Sequence, residues 1–143
     1  MEPTIYAHET RIRNAFASVL RDYRKNERVA QKEVKYIEAG ARADMRTVDH
    51  HNIIREWEFK IEADYSALGQ ILVYVALARK EFQYRRLVRG VLAAFTFPEN
   101  LVYTIEAMNL GIELYTIPGH LQNAGNLGAT LPEGPPQIPT SLI

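Results

Sequence analysis

Between Leu87 and Phe97 the chain reads LVRGVLAAFTF, an almost continuous apolar run in which Arg89 is the lone charge. A strand with one face in water would alternate polar and apolar residues, and this one does not. It reads as a central strand covered on both faces, as in sheets sandwiched between helices. The fold must therefore supply a layer above and a layer below it.

The flanking sequence supplies those layers. From Thr4 to Asn26, the residues Ile5, Ile12, Phe16, Val19, Leu20 and Tyr23 recur at helical spacing and predict an amphipathic helix. Glu9 falls on that apolar stripe, where an unpaired charge is costly. It either serves a site or pairs with Arg13 one turn on. Gln31–Gly40 alternates and predicts a strand closed by a glycine turn. Ala43–Val48 and Ile53–Ile61 predict two more strands, joined as a hairpin through Asp49-His50-His51-Asn52. Asp64 or Ser66 can cap a second helix running to Phe82, with Ala67, Ile71, Tyr74, Val75 and Ala78 inward. Pro98-Glu99-Asn100 opens a third helix, Leu101–Asn109, with Gly111 as its C-cap, and Ile112–Ile117 is a last short strand. The order α-β-β-β-α-β-α-β predicts an α/β fold, a mixed central sheet flanked by helices. Residues 1–120 form this domain. Residues 121–143, rich in proline and glycine, predict an irregular tail.

Composition narrows the function. Apolar residues at 47% allow a real core, and no stretch reaches the roughly 20 apolar residues of a membrane span. The start, Met1-Glu2-Pro3-Thr4, lacks a signal-peptide pattern, so an intracellular, cytoplasmic protein is expected. With no cysteine there is no disulfide, thiolate metal site or cysteine nucleophile. The net charge is zero, which argues against gripping duplex DNA by bulk electrostatics. Two basic clusters nevertheless stand out: Arg11, Arg13, Arg21, Arg24, Lys25 and Arg28, and then Arg79, Lys80, Arg85, Arg86 and Arg89. They are solvated faces or phosphate grips, and Arg85, Arg86 and Arg89 are the candidate phosphate contacts. No glycine-rich phosphate loop, serine triad or zinc spacing occurs. His50 and His51 are read as exposed turn residues with diverging side chains, and Trp57 as core.

The stretch with chemical content runs from Arg42 to Lys60. Strand alternation puts Ile54, Glu56, Glu58 and Lys60 on one face, and the hairpin brings Asp44 to the same end of the sheet. Two carboxylates of this kind suit Mg²⁺ or Mn²⁺, which take oxygen ligands and keep several waters. The Phe59 carbonyl is a natural further ligand. Lys60 would orient a water or stabilise charge developing on a phosphate. Glu56 is an alternative or additional ligand, and Asp49 a rival to Asp44. The bland alternative is a surface hairpin with a cross-strand ion pair.

Asp44, followed fourteen residues later by Glu58-Phe59-Lys60, resembles the signature of the PD-(D/E)XK nuclease superfamily, with Ala43 where the motif name has proline. The resemblance spans about Thr4 to Pro118 and includes the restriction-endonuclease-like element order. In RecB-like members an early-helix glutamate joins the metal site, and Glu9 stands in that place. Gln70 and Tyr74 match the glutamine and tyrosine, four residues apart, that those members carry after the lysine. The resemblance implies a Mg²⁺- or Mn²⁺-dependent deoxyribonuclease with Asp44, Glu58 and Lys60 as catalytic core, acting alone, as a homodimer or with a partner protein. A nuclease-fold protein that binds nucleic acid or serves as a scaffold without cutting stays open. So does a Holliday junction resolvase, since archaeal resolvases resemble this fold and length but are typically basic dimers.

Overall fold

The computed structural model describes residues 5–125. Its elements are α1 (Ile5–Ser18), α2 (Leu20–Tyr23), β1 (Glu27–Tyr36), β2 (Ala41–Asp49), β3 (Ile54–Phe59), α3 (Tyr65–Glu81), β4 (Val88–Ala94), α4 (Glu99–Ala107), β5 (Ile112–Thr116) and a 3₁₀ helix at Gly119–Gly125. The strands form one sheet in the order β1-β2-β3-β4-β5. The first three are antiparallel, whereas β3, β4 and β5 run parallel. The predicted mixed sheet flanked by helices is what the chain forms.

Two cores lie on opposite faces. Side chains of α3 and α4, among them Ile71, Val75, Leu101 and Ile105, pack with Ile54, Val88, Leu92 and Leu114. On the other face Ile12 and Phe16 of α1 pack with Met45, Trp57, Phe59, Val91 and Tyr115. Trp57 is fully buried there and donates its Nε1–H to Thr47 Oγ1 at 2.8 Å. The apolar run around β4 is thus covered twice over. Gly90 shows how tightly: a Cβ there would lie 2.2 Å from Ile71 Cγ2 and 2.8 Å from Ile112 Cδ1. Only glycine lets α3 sit that close to β4.

Several boundaries differ from expectation. The first helix does not run unbroken to Asn26. Ser18 donates its hydroxyl to the Ala15 carbonyl, a local bond that competes with the helix ladder, and the chain restarts as the short α2. β1 begins at Glu27 because that buried carboxylate accepts from Thr47 Oγ1 (2.7 Å) and Arg24 Nε (2.7 Å), which ties the strand's start to the sheet. The segment after Tyr36 forms the turn into β2. Asp64, rather than Ser66, caps α3, accepting from the Ala67 N–H at 2.8 Å. α4 ends at a left-handed Asn109 (φ 49), two residues before Gly111. Order also continues past residue 120. The 3₁₀ helix packs on α1, and Leu121 is 2% exposed within the α1 core. The rest of the proposed tail, 126–143, lies outside the described residues. Among the described residues no helix is long and apolar enough to cross a membrane.

Candidate active site

At the C-terminal end of β3, the sheet, α1 and α3 enclose a cavity of about 530 Å³. Its lining includes Glu9, Arg42, Asp44, Glu58, Lys60, Gln70 and Tyr74. Six side chains expected to act together therefore meet in one space. Strand register does most of this. Met45 pairs with Trp57 and Arg46 with Glu56, so the next step sets Asp44 opposite Glu58. Parity turns both toward the α3 face. α3 presents Gln70 and Tyr74 one turn apart, and the first turns of α1 bring Glu9 over the strand end.

Backbone and side-chain donors orient the carboxylates. Asp44 Oδ2 accepts from the Phe59 N–H at 2.7 Å, while Arg13 Nη1 donates to the Asp44 carbonyl at 2.9 Å. Tyr74 donates to Glu58 Oε2 at 3.1 Å. Glu9 Oε2 accepts from the Ile61 N–H at 3.2 Å, and its Oε1 lies 4.0 Å from Lys60 Nζ. The expected Glu9–Arg13 pair does not form, because Arg13 is spent on β2.

Electrostatically the cavity holds more negative charge than it can leave uncompensated. Burial pushes the Glu58 carboxyl up to about 9, and the adjoining Asp44 adds to the rise against Lys60 and the Tyr74 hydroxyl. Glu9 is raised by burial, with Lys60 and the Ile61 N–H opposing. Burial and the neighbouring Glu58 likewise raise the Tyr74 hydroxyl.

Other candidates are placed elsewhere. Glu56, on the same face as Glu58, is fully buried and bonded to Arg46 Nε and to the Tyr36 hydroxyl (2.8 Å). Arg46 in turn reaches Glu81 at 2.9 and 3.1 Å. Glu56 lines no part of the cavity and is no rival to Glu58. Asp49 sits at the other end of β2. Its Oδ1 accepts the N–H groups of His51 (2.8 Å) and Ile53 (3.0 Å), and its Oδ2 pairs with Arg55 at 2.8 Å. It shapes the turn and is no rival to Asp44. His50 and His51 do not diverge, since their rings lie 3.8 Å apart, centroid to centroid. The arginines of the second basic cluster are not at the cavity. Arg86 donates to the Asn52 carbonyl in the β2–β3 turn, and Arg89 lines a separate cavity with Arg55 and Glu113. With Arg85 beside them in the chain, they mark the opposite end of the sheet. Asn52 and Glu58 are about 20 Å apart along the strand.

Sequence reasoning missed Arg13 and Arg42. Arg42 had a usable signal: two residues before Asp44 on one strand, it shares that residue's face. Arg13 had none, because its bond to β2 spans 31 positions.

No family profile and no curated protein matches the chain. Solved structures do match it. An EndoMS–dsDNA2 complex is 21% identical at a TM-score of 0.63, over 82% of this chain and 48% of that one. A repair endonuclease from Pyrococcus abyssi is 25% identical at 0.61, over 76% and 46%. EndoMS in apo form is 21% identical at 0.55, over 73% and 44%. The chain spans about half the length of these proteins. It has the α/β fold that a repair endonuclease also has, and the cavity at the end of β3 lies within that fold.

Proposed function

We propose that the chain is a metal-dependent nuclease of the PD-(D/E)XK type that hydrolyses DNA phosphodiester bonds. The observation that carries the proposal is the meeting of Asp44, Glu58 and Lys60 in one cavity. The fold it shares with repair endonucleases supports it.

The donor set fits a hard divalent cation. Burial beside Asp44 raises the Glu58 carboxyl well above the ordinary carboxylate range. Two opposed carboxylates of that kind are relieved by Mg²⁺ or Mn²⁺, which need only one or two carboxylates and complete their shells with water. The ion, when bound, polarises the phosphoryl oxygen and acidifies a water. The chain's own residues do the rest. Asp44 and Glu58 offer the ligand oxygens, and Phe59 lies beside them with its N–H on Asp44. Tyr74 fixes the rotamer of Glu58, with Gln70 one turn before it on the cavity wall. Glu9 holds the Lys60 ammonium and the Ile61 backbone at the cavity, within electrostatic reach of Asp44. Lys60 stabilises the charge that develops on the phosphate as water oxygen bonds to phosphorus and the bond to the leaving sugar oxygen breaks.

One observation favours a second reading, a protein that binds DNA on this fold without cutting it. Among the described residues no three of His, Cys, Asp and Glu are grouped closely enough to hold a metal ion. A single experiment separates the two. Linear, nicked, single-stranded and branched DNA are incubated with the protein in Mg²⁺, Mn²⁺ or EDTA. Cutting in metal but not in EDTA is expected, with Asp44→Ala and Lys60→Ala each slower by about 10²-fold or more. Binding without cutting in any metal selects the second reading. Preferential cutting of the branched DNA marks a junction resolvase.

A further inference from the structure

A nuclease site must hold the substrate's backbone as well as cut it, and Arg85, Arg86 and Arg89 lie at the opposite end of the sheet from the cavity. The cavity has its own second cation. Arg42 lines it together with Asp44, Glu58, Lys60 and Tyr74. From the structure we infer that Arg42 is the residue that grips the phosphate backbone of the DNA strand at the mouth of this site, an inference that rests on the nuclease reading above.

Three observations support this. First, Arg42 is on the face of β2 that carries Asp44, one strand repeat away, or about 7 Å. That is close to the spacing of neighbouring phosphates along a nucleic-acid strand. A phosphate over the carboxylate pair would therefore have its neighbour near Arg42. Second, Arg42 is in reach of solvent, and its pair with Glu33 is a long one. Its Nη1 lies 3.9 Å from Glu33 Oε1, with both side chains 40% exposed. Such a pair contributes little stability and gives way readily to a partner that takes the guanidinium fork bidentately. Arg13 is different: its side chain is 6% exposed and its Nη1 is committed to the Asp44 carbonyl. Third, the backbone is strained where Arg42 is held. Glu33 stands between the pairs Lys32–Met45 and Val34–Ala43 with φ at 53°, a left-handed conformation unfavourable inside a strand. Its carboxylate faces both Arg13 and Arg42.

The opposite wall leaves room for a strand. Gly69 lines the cavity from α3, and a Cβ there would meet nothing within 4 Å. Among the described residues no packing demands glycine at this helical position, which leaves space for the substrate.

The test is binding of a labelled short duplex and a labelled single strand, followed by anisotropy across a series of KCl concentrations with Ca²⁺ in place of Mg²⁺. Arg42→Ala is expected to weaken binding by on the order of tenfold. It should also flatten the slope of log affinity against log salt by about 0.9 for duplex or about 0.7 for single strand, the signature of one lost phosphate contact. Arg42→Lys should recover most of the slope but not all of the affinity, since a point charge lacks the fork. In Mg²⁺, Arg42→Ala should raise KM more than it lowers kcat. A simple folding defect would reproduce neither the slope change nor the lysine rescue, and Arg42→Gln serves if the alanine variant does not fold. The inference is overturned, with the nuclease reading intact, if wild type cuts DNA while Arg42→Ala binds with unchanged affinity and slope. It is also overturned if Arg86→Ala flattens the slope and Arg42→Ala does not. Wild type that neither binds nor cuts any DNA overturns both.

Discussion

Replacing Arg46 by methionine removes the cation bonded to a carboxylate, Glu56, that has no exposed surface. Methionine fills much of the arginine stem, so the effect is mainly electrostatic. Stranding one charge of a buried pair costs about 3–5 kcal/mol. For a domain of this length that corresponds to a loss of roughly 10–15 °C in Tm. Glu56→Gln should cost clearly less, because Arg46 keeps two bonds to Glu81, whose side chain is 42% exposed and stays hydrated. In the double variant Arg46→Met/Glu56→Leu no charge is stranded, and stability should return to within about 1 kcal/mol of wild type. Acid adds a second signature. Burial raises Glu56 above its ordinary value near 4.5 even with Arg46 present, and removing Arg46 raises it further. A raised carboxyl favours the folded state below its unfolded pKa and loses that contribution as pH rises through the folded value. The Arg46→Met penalty should therefore shrink as pH falls toward 4. Chemical denaturation of the four proteins at pH 7 and pH 4 reads all of this. An Arg46→Met cost under 1 kcal/mol, or a double variant no more stable than Arg46→Met alone, would refute this reasoning.

Asp49 makes the opposite pH statement. Partial burial works against its charge, but Arg55 and the N–H groups of Ile53 and His51 outweigh that and lower its pKa to about 2. Its contribution is present above about 3.8 and lost as pH falls through about 2. Asp49→Asn should cost about 2 kcal/mol at pH 7 and converge on wild type in acid, as followed by urea denaturation. Gly69 within α3 and Gly90 facing that helix from β4 should respond with opposite signs. Gly69→Ala should raise Tm by the equivalent of about 0.5–1 kcal/mol. Gly90→Ala, whose methyl would strike Ile71 and Ile112, should lower stability by about 1–3 kcal/mol. Calorimetry of the pair checks both.

What could be read from the sequence was the part that depends on short-range geometry. The alternation of one strand and the register of one hairpin are enough to place Asp44, Glu58 and Lys60 together, and a single helical turn sets Gln70 beside Tyr74. The same alternation put Glu56 with Glu58, but a step of two residues carries it about 7 Å away from the cavity, toward Arg46 and the far end of α3. Parity names a face and says nothing about position along it. Charge clustering is silent on place for a related reason: Arg85, Arg86 and Arg89 are dense in sequence, yet the end of the sheet they occupy is set by the direction of α3. Leu121 looked like part of a tail because a single buried leucine has no period, and its partners on α1 lie a hundred residues earlier.

The strand order carries a consequence for how the molecule comes together. Each strand lies against its neighbour in the chain, so the hairpin bearing Asp44 and Glu58 closes through a turn of a few residues, among the cheapest loops to close in a folding chain. The two acids thus meet while still in water, where their repulsion is slight. Only when α3 docks, bringing Tyr74, does it become expensive. The acid pair is assembled early at little cost, and the tension between its members is imposed late by the helix that seals it in.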